Sequence, residues 1–289
     1  AKRILIDKTS VNRSDPDNWI TTNGMESGLS TIATSAGDAG DININSDNLS
    51  IIGGNFGGQS RSSYPTRAQS AIYSWTKVRP HGGLKLKAGR GGDISINSKA
   101  VDLIDACIKS MSNGSGDLGD INMKGGVLRM LGVDVPYKVH PDGFVVYGPH
   151  ISNRVFSDYA SGDWVYEDAK NGDLKLKFNE IEMQRAGIVV DSMGKGKGGR
   201  VELESNSFSA FASGIRAYVD KEGIGRDIII NAEEIDIKSS RFESTTKGVG
   251  LGANIIFNAR NIIKISKSSF MTDRVQTSKN KRGRDAGGL

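Results

Sequence analysis

Cysteine is almost absent from this 289-residue chain: Cys107 stands alone, which excludes an internal disulfide framework. Only six prolines occur, as suits strands that must donate their backbone N–H groups. No run of about 18 apolar residues exists, so no transmembrane segment is expected, and Ala1-Lys2-Arg3 opens nothing like a signal peptide. His81, His140 and His150 have no metal-type spacing with one another or with Cys107, which argues against a zinc site. A hydrophobic share of 37% is low for a compact globule and fits a thin rod with a solvated outer face. The net charge is +5, but acids and bases are interspersed except at Lys279, Lys281, Arg282 and Arg284. That cluster reads as a solvated tail, with no nucleic-acid motif beside it, and no nucleic-acid partner is expected.

What the chain does have is a phrase close to Gly-Asp-Ile-x-Ile-Asn. Copies open at Gly40, Gly92, Gly119, Gly172, Gly199, Arg226 and Ala253, with steps of 52, 27, 53, 27, 27 and 27 residues. A repeat of this length built from strand-type alternation predicts a stacked solenoid. Aligned on the Asp position, apolar columns fall one and three residues on (Ile42 and Ile44 in the first copy), then eight and ten on (Leu49 and Ile51). A third column at fifteen reads Phe56, Ile108, Val135, Ile188, Ile215 and Phe242. Period two in each segment buries one face of each strand. The expected fold is an all-β, right-handed parallel β-helix with about 27 residues and three short strands per coil. One domain over 1–289 would hold roughly ten coils, about 45–50 Å of stacked rungs.

Neighbouring columns predict rung-to-rung partners: Lys175 with Glu202, Lys177 with Glu204, Asp173 with Arg200 and Asp102 with Arg129. Stacked asparagines such as Asn45 and Asn97, or Asn231 and Asn258, can bond along the axis. The glycine before each Asp is read as a corner needing unusual backbone angles, and the Asp and Asn residues as turn chemistry. In the last copy Lys264 falls in an apolar column. One extra residue near Asn261 restores the pattern through Ile263, Ile265 and Phe270.

Two stretches, 58–91 and 132–171, depart from the repeat, each filling the room of one degenerate coil with a long loop. The three tryptophans and most tyrosines fall outside the regular coils. Tyr64, Tyr73, Trp75, Tyr159, Trp164 and Tyr166 are therefore the candidate ligand- or partner-binding residues, the alternative being a local mini-core. The stacked outward isoleucines Ile229 and Ile256 form a candidate contact face, although strand propensity alone would also place isoleucine there.

Gly194-Lys195-Gly196-Lys197-Gly198-Gly199 contains GxGxxG, but a strand follows it where a dinucleotide site needs a helix. The period of 27 does not match a calcium-binding nonapeptide repeat. No column concentrates carboxylates as a glycosidase or lyase groove does. No catalytic residue, metal or cofactor is assigned.

The segment Gly28-Leu29-Ser30-Thr31-Ile32-Ala33-Thr34-Ser35-Ala36-Gly37-Asp38-Ala39-Gly40-Asp41-Ile42-Asn43-Ile44-Asn45 resembles the repeats of bacterial filamentous haemagglutinin-like proteins. Gly114-Ser115-Gly116-Asp117-Leu118-Gly119-Asp120-Ile121 and Arg284-Asp285-Ala286-Gly287-Gly288-Leu289 look like the same joint. The likeness spans about 24–58, 88–131 and 171–289. It implies a secreted or cell-surface, two-partner-secretion adhesin whose β-helix serves as a non-enzymatic shaft or fibre component. The implied partners are a glycan or surface protein of another cell, and other fibre subunits at the open ends. The natural polypeptide is expected to continue past Leu289, or a partner to cap that end. A carbohydrate-active β-helix enzyme, a polysaccharide lyase or hydrolase, is the alternative; a scaffolding subunit of a larger assembly is a third.

Overall fold

A computed structural model describes residues 2–7, 28–33, 37–53, 71–77, 89–113, 116–133, 149–156, 169–192, 196–219, 223–247 and 253–275. The described residues form an all-β parallel β-helix made of two parallel sheets. Strands alternate between the sheets along the chain. The first sheet takes β1 (Arg3–Asp7), β3 (Ile42–Ile52), β5 (Ile94–Ile104), β7 (Ile121–Leu131) and β9 (Leu174–Gln184). It continues with β11 (Val201–Glu204) and β12 (Ser207–Phe211) on one rung, then β14 (Ile228–Lys238) and β16 (Ile255–Ser266). The second takes β2 (Gly28–Ala33), β4 (Ala71–Lys77), β6 (Cys107–Asn113), β8 (His150–Phe156), β10 (Gly187–Ser192), β13 (Gly214–Val219), β15 (Arg241–Lys247) and β17 (Ser269–Val275).

The register follows the sequence columns. Ile94 stands on Ile121, Leu174 on Val201 and Ile228 on Ile255. The columns at one, three, eight and ten supply most of the buried core. Each fully buried branched side chain removes apolar area from water, for about 1.5–3 kcal/mol. The first two of the three expected strands run together as one 11-residue strand in most coils and separate only around Ser205–Asn206. The last rung carries the expected extra residue: pairing shifts after Ala232–Ala259, so that Ile235 meets Ile263 and Ile237 meets Ile265.

The two long steps require correction. Ile42 pairs directly with Ile94, and Ile121 with Leu174, so no additional rung lies between them in the first sheet. Each long step is one coil whose extra residues fall at both corners. They lie between Ile52 and Ala71, Lys77 and Ile94, Leu131 and His150, and Phe156 and Leu174. Among the described residues each sheet has eight rungs, where roughly ten coils were expected. Ile72 and Ile151, not Phe56 and Val135, hold the inward place on β4 and β8 beside Ile108. The corner insertions displace the true strands from the fixed offset of fifteen. Phe56 and Val135 lie outside the described residues.

Polar side chains tie the rungs together. Asp41 Oδ1 accepts the N–H of Asp93 (2.8 Å), Asp93 that of Asp120 (2.8 Å), and Asp120 that of Asp173 (2.8 Å). Asp173 accepts that of Arg200 (2.9 Å) and Asp227 that of Asn254 (2.9 Å). Charge-assisted bonds of this kind satisfy backbone donors at the joint, where strand pairing is only beginning. At the other corner the serines run the opposite way: Ser213, Ser240 and Ser268 Oγ accept the N–H of Ala186, Ser213 and Ser240, one rung earlier (3.2, 3.1 and 3.1 Å).

The glycines of the joint are there because of close approach rather than backbone angle. A Cβ on Gly92, Gly119, Gly172 or Gly199 would run into the carbonyl of the glycine one rung below, and none of them has a positive φ. Left-handed backbone occurs instead at the tight corner between the sheets, at Asp105, Arg185, Ala212, Ser239 and Lys267 (φ 47–53°). A side chain costs about 1–2 kcal/mol there. Ala212→Gly is accordingly expected to stabilise the fold by about 0.5–1 kcal/mol after the entropy of glycine is counted, read as a higher midpoint in thermal unfolding.

Candidate functional site

The long strands of the first sheet bend. In β5, Ile94, Ile96 and Ser98 face in, but the next inward residues are Val101 and Leu103, so the alternation slips by one. The outer side of the bend forms a groove along the stack. Two cavities of about 420 Å³ and about 790 Å³ share Asn97, Lys124 and Lys177 and flank that row, the smaller towards Asn122 and Lys175 and the larger towards Asn179 and Asn206. Their outward columns lie two, four and six residues past the Asp position. Column two reads Asn43, Ser95, Asn122, Lys175, Glu202, Ile229 and Ile256. Column four reads Asn45, Asn97, Lys124, Lys177, Glu204, Asn231 and Asn258. Column six supplies Asp47, Lys99, Gly126, Asn179, Asn206, Glu233 and Arg260.

Expected pairings along these columns are present in part. Asn97 Nδ2 donates to Asn45 Oδ1 (3.4 Å), and Asn258 to Asn231 (2.8 Å). Lys177 Nζ meets Glu204 at 2.7 Å. Beyond the groove, Arg129 bridges Asp102 (3.5 Å) and Glu182 (3.9 Å). Lys175 and Glu202 are register neighbours that make no ion pair. Asp173 takes the backbone N–H of Arg200 rather than its guanidinium. At the upstream end Lys99 Nζ lies 2.8 Å from Asp47. Its hydrogen bond and charge hold the Asp47 carboxyl below the usual aspartate range and raise Lys99 above the usual lysine value. The pair therefore contributes fully between those ordinary values. Its contribution fades as pH falls through the lowered aspartate value or rises through the raised lysine value. Both groups are exposed, so salt screens it.

The second sheet differs. Its inner side is partly polar and serves the glycine joint: Ser74 Oγ accepts the Gly92 N–H (2.9 Å), and Asn153 Nδ2 donates to the carbonyls of Gly119 (3.2 Å) and Gly172 (3.0 Å). On its outer face Asp191 is only 2% exposed, flanked by Arg154 (3.0 Å) and Arg216 (3.4 Å), with Arg216 over the Tyr218 ring (4.2 Å). Glu243 is buried beside Arg241 (3.1 Å). This is a desolvated ion network, which sequence reading did not single out.

Tyr73 and Trp75 do not lie outside the coils: both sit on β4, half-buried, with Trp75 in register with Ile32 and Met111. Tyr64, Tyr159, Trp164 and Tyr166 lie outside the described residues. Ile229 and Ile256 are adjacent on the outer face of the first sheet and half-buried. The structure also brings Cys107 beside His150, separated by 43 positions in sequence, but Cys107 is fully buried. Among the described residues no group of three or more His, Cys, Asp or Glu could hold a metal ion, and no helix is long and apolar enough to cross a membrane.

The fold and the groove define a parallel β-helix with a polar, axial outer groove. Comparison with family models, curated proteins and solved structures returns no match.

Proposed function

We propose that this chain is a stretch of a non-enzymatic, extracellular β-helical shaft, a surface-fibre or adhesin component of the filamentous haemagglutinin-like kind. Its partner is a glycan or surface protein of another cell. The observation that supports this reading is the use made of the repeated polar residues. The Asp and Ser columns hold neighbouring rungs together through backbone N–H groups, which favours an extended scaffold. The last described rung leaves the inward-column residues Ile263, Ile265 and Phe270 exposed by 44, 46 and 40%, which suits further assembly at that end. A panel of acidic and neutral polysaccharides tests the reading. Binding without release of reducing ends or unsaturated sugars is expected.

One observation favours a second reading, a polysaccharide hydrolase or lyase. Glu204 and Glu233 line the same cavity, an arrangement that glycoside hydrolysis uses. Glu204 is tied to Lys177 at 2.7 Å and Glu233 to Arg260 at 3.7 Å. Reproducible cleavage abolished by Glu204→Gln or Glu233→Gln would replace the shaft reading with this one.

A further inference from the structure

The groove is electrically divided along its length. Over β3, β5, β7 and β9 its three columns carry four lysines against one carboxylate, Asp47, which Lys99 already engages. Over β11, β14 and β16 they carry three glutamates against one arginine. In the upstream half, column four places Lys124 directly beside Lys177, with Lys175 two residues along the same strand. Like charges on adjacent rungs oppose the stack, whereas the same column elsewhere pairs asparagines or joins lysine to glutamate. Among the described residues Lys124 and Lys175 make no ion pair. In the Asp column beside the groove, Oδ1 of Asp93 and of Asp120 accepts a backbone N–H of the next rung.

Two glycines follow Lys124, where the rungs approach closely. A Cβ on Gly125 would meet the Ser98 carbonyl, and one on Gly126 would lie 2.6 Å from the Lys99 carbonyl. The rung that bears Lys124 therefore has no side chain in column six beside the ammonium. Asn97, Asn122 and Asn179 surround it with amide donors and acceptors suited to hydroxyl groups.

We propose that this half of the groove, centred on Lys124 and Lys175 with Lys177 held by Glu204 at its edge, binds a linear uronate-bearing polysaccharide laid along the helix axis. The proposal rests on the shaft reading above and names its glycan. The Lys124 and Lys175 ammonium groups on two successive rungs match carboxylates spaced along a chain, and the asparagines meet the sugar hydroxyls. Among the described residues the only aromatic side chain lining either cavity, Phe178, is 3% exposed, and so offers no platform on which nucleic-acid bases could stack.

Calorimetric titration of the full chain with oligogalacturonate tests this. Binding that weakens with added salt is expected, together with a loss of about tenfold in each of Lys124→Gln and Lys175→Gln. Lys124→Arg keeps the charge and retains affinity. Lys124→Gln is also expected to keep or raise the thermal midpoint, because it removes the like-charge pair, so lost binding cannot be attributed to unfolding. Unchanged affinity in both glutamine variants overturns the proposal. Equal binding of neutral dextran, dextran sulfate or single-stranded DNA overturns it too, by showing general stickiness or simple cation exchange. Cleavage of the oligosaccharide would instead overturn the shaft reading, while the lysine dependence of binding would still decide the ligand.

Discussion

Gly172→Val is expected to cost about 3 kcal/mol and to lower the thermal midpoint by roughly 6–9 °C, whereas Gly40→Ala in the same sequence phrase changes stability by less than about 0.5 kcal/mol. The contrast comes from what lies beneath each residue. A Cβ on Gly172 strikes the Gly119 carbonyl and comes within 3.0 Å of Asn153 Nδ2, the group that bridges the two glycine carbonyls. Neither obstacle can yield without separating two rungs. A Cβ on Gly40 meets only the Thr31 methyl, at 3.6 Å. Thermal and denaturant unfolding of the two variants, followed by circular dichroism, makes the comparison. Equal losses at the two positions would mean that glycine is required for its backbone freedom and that the close stacking is irrelevant.

Asp191→Ala is expected to cost about 3 kcal/mol, as breaking a buried ion pair does, because Asp191 and Arg216 are only 2% and 12% exposed and the carboxylate also engages the partly exposed Arg154. Added salt should recover little of the loss, since screening acts weakly on buried groups. Combining it with Arg216→Met should recover part, because the more buried of the two like charges beside the lost carboxylate is then removed. Chemical denaturation at low and high salt checks both statements. A loss below about 0.5 kcal/mol would place the network in solvent.

The sequence made the first sheet legible to single residues, including the extra one near Asn261, because its inward columns are almost wholly apolar. The second sheet was harder to read. On β4 the inward residues are Ile72, Ser74 and Thr76, and on β8 they are Ile151, Asn153 and Val155, so polar groups serving the glycine joint hide the alternation. Insertions at both corners then defeat any fixed offset. The slip of alternation that shapes the groove is written in the spacing of the columns at three and eight. Its effect, a concavity that gathers Lys124 and Lys177 with Gly125, is visible only in three dimensions. Burial of Asp191 depends on what covers the outer face of the second sheet, which no local pattern records.

The uneven coil lengths bear on how such a shaft would give way under tension. If coils peel from one end, a regular turn of 27 residues would free about 90 Å of contour, and each of the two enlarged turns roughly twice that. Yet every turn, long or short, adds only one rung of height. The enlarged turns would therefore store slack without lengthening the intact rod.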